Sequence, residues 1–206
     1  MTPDRNDALI IIDVQNDFCP NGALAVPDGD QVVPLINQVS EKFSTVILTQ
    51  DWHPADHASF ASTHNADPFT TTTLHYGEQT LWPDHCVQGS PGAEFHSQLN
   101  SNSAALIVRK GMHQGIDSYS AFFENDKTTG TGLTGYLNAM NIKRVFCAGL
   151  AFDYCVRFTA EDAVKENFAT IVIEDACRAI DMDNSAADAR ASFKKIGVTM
   201  LSSSDL

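Results

Sequence analysis

The segment Arg144-Val145-Phe146-Cys147-Ala148-Gly149-Leu150-Ala151-Phe152-Asp153-Tyr154-Cys155-Val156 reads as an apolar strand, a short turn, and the start of a helix running from Val156 to Asn167. A strand that feeds directly into a helix is half of a βαβ unit, and repeated βαβ units build a mainly parallel sheet. Five more short apolar runs fit the same scheme: Ala8–Val14, Thr45–Thr49, Ala105–Arg109, Thr170–Ile173 and Val198–Leu201. Between the first two of these, Val32, Val33, Leu35, Ile36, Val39 and Phe43 mark one helical face, with Pro34 tolerable in the first turn. Near the C-terminus, Ser185-Ala186-Ala187-Asp188 resembles a capping box and Gly197 suits a helix stop. Phe60 to Gly92 reads as one long loop, and long loops in compact domains are often functional. The expectation is an α/β fold with a mainly parallel sheet, residues 1–206 forming one domain without repeats or linkers.

Bulk composition narrows the partners. The chain has 206 residues, 43% hydrophobic and 19% charged, enough apolar content for a full core. Its 13 Lys and Arg stand against 26 Asp and Glu, a net charge of −13, which argues against nucleic acid and against anionic membrane surfaces. The apolar stretch Ala8–Val14 is too short to span a bilayer. Five cysteines, odd in number and without a C-x-x-C pair, suit reduced thiols, so a cytoplasmic protein with a small-molecule substrate is expected.

Four chemically capable positions fall at or just past the ends of expected strands: Asp13, Asp51, Lys110 and the segment before Cys155. In open α/β sheets, ligands bind in the crevice outside those ends. Cys155 at a helix start would feel the positive end of the dipole, which favours a thiolate and leaves backbone N–H groups free to hold an oxyanion. Asp13 and Lys110 are the candidates for base and for electrostatic support. Cys147 and Cys177 lie in or beside apolar runs and read as core. The stretch Asp51-Trp52-His53-Pro54-Ala55-Asp56-His57 places a carboxylate and an imidazole one residue apart. With a distant His85 they make a three-ligand set with open positions, the pattern of a catalytic metal. Mixed oxygen and nitrogen ligation suits Zn²⁺, Mn²⁺ or Fe²⁺ without choosing between them. The run Gly130-Thr131-Gly132-Leu133-Thr134-Gly135 matches G-x-G-x-x-G formally, but a polar loop precedes it where a dinucleotide site needs a strand.

The ordered set Ile12-Asp13-Val14-Gln15-Asn16-Asp17-Phe18, Thr49-Gln50-Asp51-Trp52-His53-Pro54, His57-Ala58-Ser59-Phe60, Leu81-Trp82-Pro83-Asp84-His85-Cys86-Val87, Lys110-Gly111, Asp117-Ser118-Tyr119-Ser120-Ala121-Phe122 and the Cys155 segment resembles the nicotinamidases (pyrazinamidases) of the isochorismatase-like cysteine hydrolases, nearly end to end. The resemblance implies a flavodoxin-like three-layer α/β/α fold and a catalytic triad of Asp13, Lys110 and Cys155. It implies one divalent metal, zinc ahead of manganese or iron, on Asp51, His53 and His85, with His57 a further ligand in some members. It implies a ring slot of Phe18, Trp82 and Tyr119, a cis Leu150–Ala151 peptide, and an oxyanion hole from the N–H groups of Ala151 and Cys155. The implied reaction is hydrolysis of nicotinamide to nicotinate and ammonia through a thioester, in NAD salvage, with pyrazinamide-like amides as further substrates and room for a homo-oligomer. Other reactions of the superfamily, on isochorismate or N-carbamoyl compounds, are the nearest rivals, and a metal-bound hydroxide nucleophile is a rival of another class. Phe152 departs from the small polar residue common at its place in the turn.

Overall fold

The computed structural model describes residues 1–206. In chain order the elements are β1 (Asp7–Ile12), α1 (Val32–Ser40), β2 (Thr45–Asp51), β3 (Thr71–Leu74), β4 (Gly77–Thr80), β5 (Leu106–Lys110), α2 (Leu133–Ala139), β6 (Arg144–Leu150), α3 (Arg157–Lys165), β7 (Ala169–Arg178), α4 (Ser185–Ile196) and β8 (Thr199–Leu201). Six strands form one parallel sheet in the order β5-β2-β1-β6-β7-β8. Each expected strand is present, and the parallel α/β/α architecture follows from them.

β1 is buried along its whole length because both faces of the sheet are covered. Successive side chains alternate between two cores: Leu9 and Ile11 pack with Val33, Ile36 and Val39 of α1, whereas Ala8, Ile10 and Ile12 pack with Leu133, Leu137, Ala160 and Phe193 of α2, α3 and α4. Gly149 lets β6 pass close to β1. A Cβ there would lie 2.1 Å from the Ile12 carbonyl oxygen, at a φ of +124° that other residues rarely adopt.

Two expectations need correction. Phe60–Gly92 is not a bare loop, since Thr71–Leu74 and Gly77–Thr80 pair as an antiparallel hairpin. Threonine runs have strand propensity, but only Gln79 of these eight residues is buried, so no apolar alternation announces it. The box expected at Ser185–Asp188 does not form either: the N-cap of α4 is Asn184, and the Ser185 hydroxyl donates to Asp153 Oδ2 at 2.5 Å. Gly197 does close α4, at φ 85°. The G-x-G-x-x-G run leads into α2 with no strand directly before it, and Gly132 is its N-cap.

Candidate active site

The strand order reverses direction at β1, with β2 and β5 on one side and β6, β7 and β8 on the other. Asp13 follows β1, Asp51 ends β2, Lys110 ends β5 and Cys155 follows β6, so these four side chains meet outside the carboxyl ends of the strands. Lys110 is at their centre, 1% exposed. Its Nζ is 2.9 Å from Asp13 Oδ2, 3.5 Å from Cys155 Sγ, and donates at 2.9 Å to the Ser118 carbonyl; it also pairs with Asp51 Oδ1. A buried ammonium is costly unless paired, and these partners hold Lys110 well above its ordinary value despite burial.

Asp13 has φ 48°, a left-handed backbone uncommon outside glycine. Thr49 holds it there: its hydroxyl donates to Asp13 Oδ1 at 2.6 Å and accepts from Asp13 N at 3.2 Å. Burial pushes the Asp13 carboxyl up, Lys110 pulls it back, and it settles at about 6. The Cys155 thiol departs from the expected thiolate. Burial raises it well above the usual cysteine value, and Lys110 offsets this only in part against Asp13 and Asp51. Low dielectric outweighs the dipole because Cys155 sits in a wide turn, Phe152–Val156, ahead of α3 rather than on a regular helix end. Burial thus keeps Cys155 a thiol, beside a carboxyl held near neutrality.

The turn itself is well anchored. The Leu150–Ala151 peptide is cis, and the Ala151 carbonyl accepts from Tyr154 N and Val156 N, each at 3.1 Å. Asp153 is buried and accepts from Ile180 N at 3.1 Å, Asp181 N at 2.7 Å and the Ser185 hydroxyl. Phe152 points away from the crevice into the core, edge-on to Phe193 at 5.7 Å with Arg190 over its ring. The large residue in the turn is thus accommodated without intruding on Cys155.

Beside the triad, Asp51, His53 and His85 each present one ligand atom within 4.8 Å of the others. His53 Nδ1 donates to the Gly111 carbonyl at 2.9 Å and His85 Nδ1 to the Pro83 carbonyl at 2.8 Å, which turns both Nε2 atoms towards Asp51 Oδ2; Asp51 in turn raises the His53 imidazole against burial, and a bound cation would displace that proton. Gly111 is required here: a Cβ would lie 2.3 Å from the His53 ring. His53 Nε2 is buried with no hydrogen-bond partner. Burial and then His53 lower the His85 imidazole to about 4, and burial of Asp51 is outweighed by Lys110 and His53, which hold it ionised. An orphaned buried nitrogen, a neutral imidazole and a carboxylate fit a divalent cation. His57 is not turned to this set: Nδ1 bonds Ser59 Oγ at 2.7 Å and Nε2 the Ile116 carbonyl at 3.1 Å, with its ring 4.3 Å from that of His53.

Phe18, Trp82 and Tyr119 line one small pocket together with Cys155, Asp51 and His85. Trp82 Nε1 donates to the Tyr119 hydroxyl at 3.1 Å, and Tyr154 stands edge-on to both rings, 5.0 and 5.6 Å away. Leu24, Asp117, Tyr154 and Ile180 also line it, and sequence reasoning passed over all four, along with Thr49 and Asp153. Asp117 was detectable, since it precedes Tyr119 by two residues in a segment already singled out.

A matched family model, the isochorismatase domain, covers residues 7–205. The chain belongs to the isochorismatase family. A nicotinamidase of Acinetobacter baylyi is 51% identical over 98% of this chain and 95% of its own. The structure of a nicotinamidase/pyrazinamidase from Acinetobacter baumannii superposes with a TM-score of 0.97 at 52% identity, covering 99% of each chain. A pyrazinamidase of Pyrococcus horikoshii, solved in complex with zinc, gives a TM-score of 0.79 at 34% identity over 96% of this chain and 99% of that one. Within the isochorismatase family, then, the chain is similar nearly end to end to amidohydrolases named for nicotinamide and pyrazinamide, as the motif resemblance led one to expect. No helix is long and apolar enough to cross a membrane.

Proposed function

We propose that this protein is a nicotinamidase, hydrolysing nicotinamide to nicotinate and ammonia by cysteine chemistry. The observation that carries the reading is that Cys155, Lys110 and Asp13 form one buried chain of contacts that opens onto an aromatic-lined pocket. Asp13, set near 6, takes the proton of the Cys155 thiol as sulfur attacks the carboxamide carbon. The negative charge on the carbonyl oxygen falls to the N–H groups of Ala151 and Cys155, while Lys110 stabilises the sulfur anion. Asp13 returns the proton to the departing nitrogen, and ammonia leaves a thioester. Asp13 then takes a proton from water as its oxygen adds to the acyl carbon, releasing nicotinate and the thiol. Asp51, His53 and His85 would hold a divalent ion, zinc in the first instance, which would supply Lewis acidity beside the pocket. The aromatic faces of Phe18, Trp82 and Tyr119 hold the ring, and amides of similar flat rings such as pyrazinamide fit the same chemistry. Nicotinate so produced feeds NAD salvage, and five buried free thiols suit the reducing cytoplasm.

The test is ammonia release from nicotinamide by purified protein, with mass mapping of Cys155 after quenching during turnover. Nicotinate as sole co-product and an acyl adduct on Cys155 are expected. Turnover that survives Cys155→Ala would transfer the reaction to a metal-bound hydroxide; turnover of isochorismate or a carbamoyl compound alone would replace the substrate.

A further inference from the structure

The proposed reaction, on which this inference rests, converts a neutral amide into an anion inside one small pocket. Two carboxylates line that pocket, Asp51 and Asp117. Asp51 pairs with Lys110, as does Asp13 behind it. Asp117 is different: it is 2% exposed, and no lysine or arginine reaches it. Its oxygens accept from Gln79 Nε2 at 2.7 Å and from Ser118 N at 2.8 Å, both neutral donors that hold the side chain in place without cancelling its charge. Of the neighbouring imidazoles, with nitrogens within 4.8 Å, His57 bonds Ser59 and Ile116, and His53 bonds Gly111 through Nδ1 while its Nε2 faces Asp51. Gln79 comes from the hairpin and is itself buried, so the carboxylate is fixed from above by β4 and from behind by its own backbone.

We propose that Asp117 is a specificity-determining residue that disfavours the anionic acid against the neutral amide, so that the pocket rejects its own product. A fixed charge in a water-poor pocket acts on a ligand's net charge and leaves a neutral ligand of the same shape nearly untouched. The sign does not depend on what occupies the ligands Asp51, His53 and His85, because removing one negative charge always favours the anion relative to the amide. The class selected is a neutral aromatic carboxamide; the class rejected is the corresponding carboxylate.

The experiment is calorimetric titration of nicotinamide and of nicotinate into Cys155→Ala protein and into the Cys155→Ala/Asp117→Asn double variant, both at equal measured metal content. The ratio of nicotinate Kd to nicotinamide Kd should fall by about 10-fold when the charge is removed. Asp117→Ser gives the same ratio independently should the amide variant misfold, and product inhibition of otherwise intact enzyme by nicotinate should strengthen in step. A ratio that stays constant while both ligands weaken together means that Asp117 only holds the hairpin, and overturns the proposal. Wild-type protein that releases no ammonia from nicotinamide instead brings down the functional reading, and this inference with it.

Discussion

Lys110 shows how a single residue sets the charge logic of the site. An ammonium buried among two carboxylates and a thiol stays charged because each neighbour raises it. Its removal would leave Asp13 with only the Thr49 hydroxyl and Asp51 with only the imidazoles of His53 and His85, so Lys110→Met should cost about 3–5 kcal/mol in denaturant titrations, the usual penalty for breaking a buried ionic group. Asp13 carries the clearer pH signature. Its value of about 6 lies above the ordinary 3.8, so the stability associated with it is full below 3.8 and is lost as pH rises through about 6. Catalysis needs the opposite form. The rate constant kcat/KM for nicotinamide should climb through about pH 6 and level off above it, and Asp13→Asn should lower turnover on the order of 10²–10⁴-fold while flattening the stability profile between pH 4 and 7. An acid limb that survives unchanged in Asp13→Asn would assign it to another group.

Among the elements, the turn Phe152–Val156 and the connection after β7 work as one unit. Asp181, Asp183 and Asn184 all have left-handed backbones, at φ 58°, 51° and 66°, and the Asp153 carboxylate ties this segment to the nucleophile turn. Ile180 thereby becomes a wall of the pocket. Asp153→Ala should cost about 1–3 kcal/mol, since two part-buried N–H groups and a hydroxyl lose their acceptor, and should raise KM more than it lowers kcat. Equal loss in both would mean that the turn itself had moved. These connections mark where reading the sequence stopped. The strands were legible because each is a short apolar run, buried on both faces in β1, β2 and β6 and partly exposed in β5 and β8, and Asp13, Asp51 and Lys110 were legible because strand ends point at one crevice. Asp153 was not, because its partners lie 27 to 32 residues away and leave no periodic trace. The Ser185 misreading has the same origin: its hydroxyl donates to the distant Asp153, whereas a capping box needs its oxygen to accept from a local N–H, and Asn184 takes the N-cap place instead. The hairpin escaped because polar threonines alternate with nothing.

At the scale of the whole molecule, the metal ligands close a long excursion of the chain. Asp51 ends β2 and His53 follows at once, while His85 returns from beyond the hairpin; the His53 N–H bonds the Cys86 carbonyl, so the two ends of that excursion already touch. A cation held by all three side chains would fasten the hairpin layer to the sheet, and anything that binds only the folded state stabilises it by mass action. At 100 times its Kd the gain is about 2.7 kcal/mol, which for a domain of this size raises Tm by roughly 5–10 °C. Calorimetric melts of chelated protein should therefore rise by that amount as Zn²⁺ is added back. Cys155→Ala should show the same rise, because the thiol belongs to the neighbouring triad, whereas His53→Ala should show none. The comparison separates metal binding from catalysis, since no turnover is measured. Zinc that stabilises His53→Ala as much as wild type would place the ion elsewhere, and zinc that stabilises neither would remove the metal from this reading of the site.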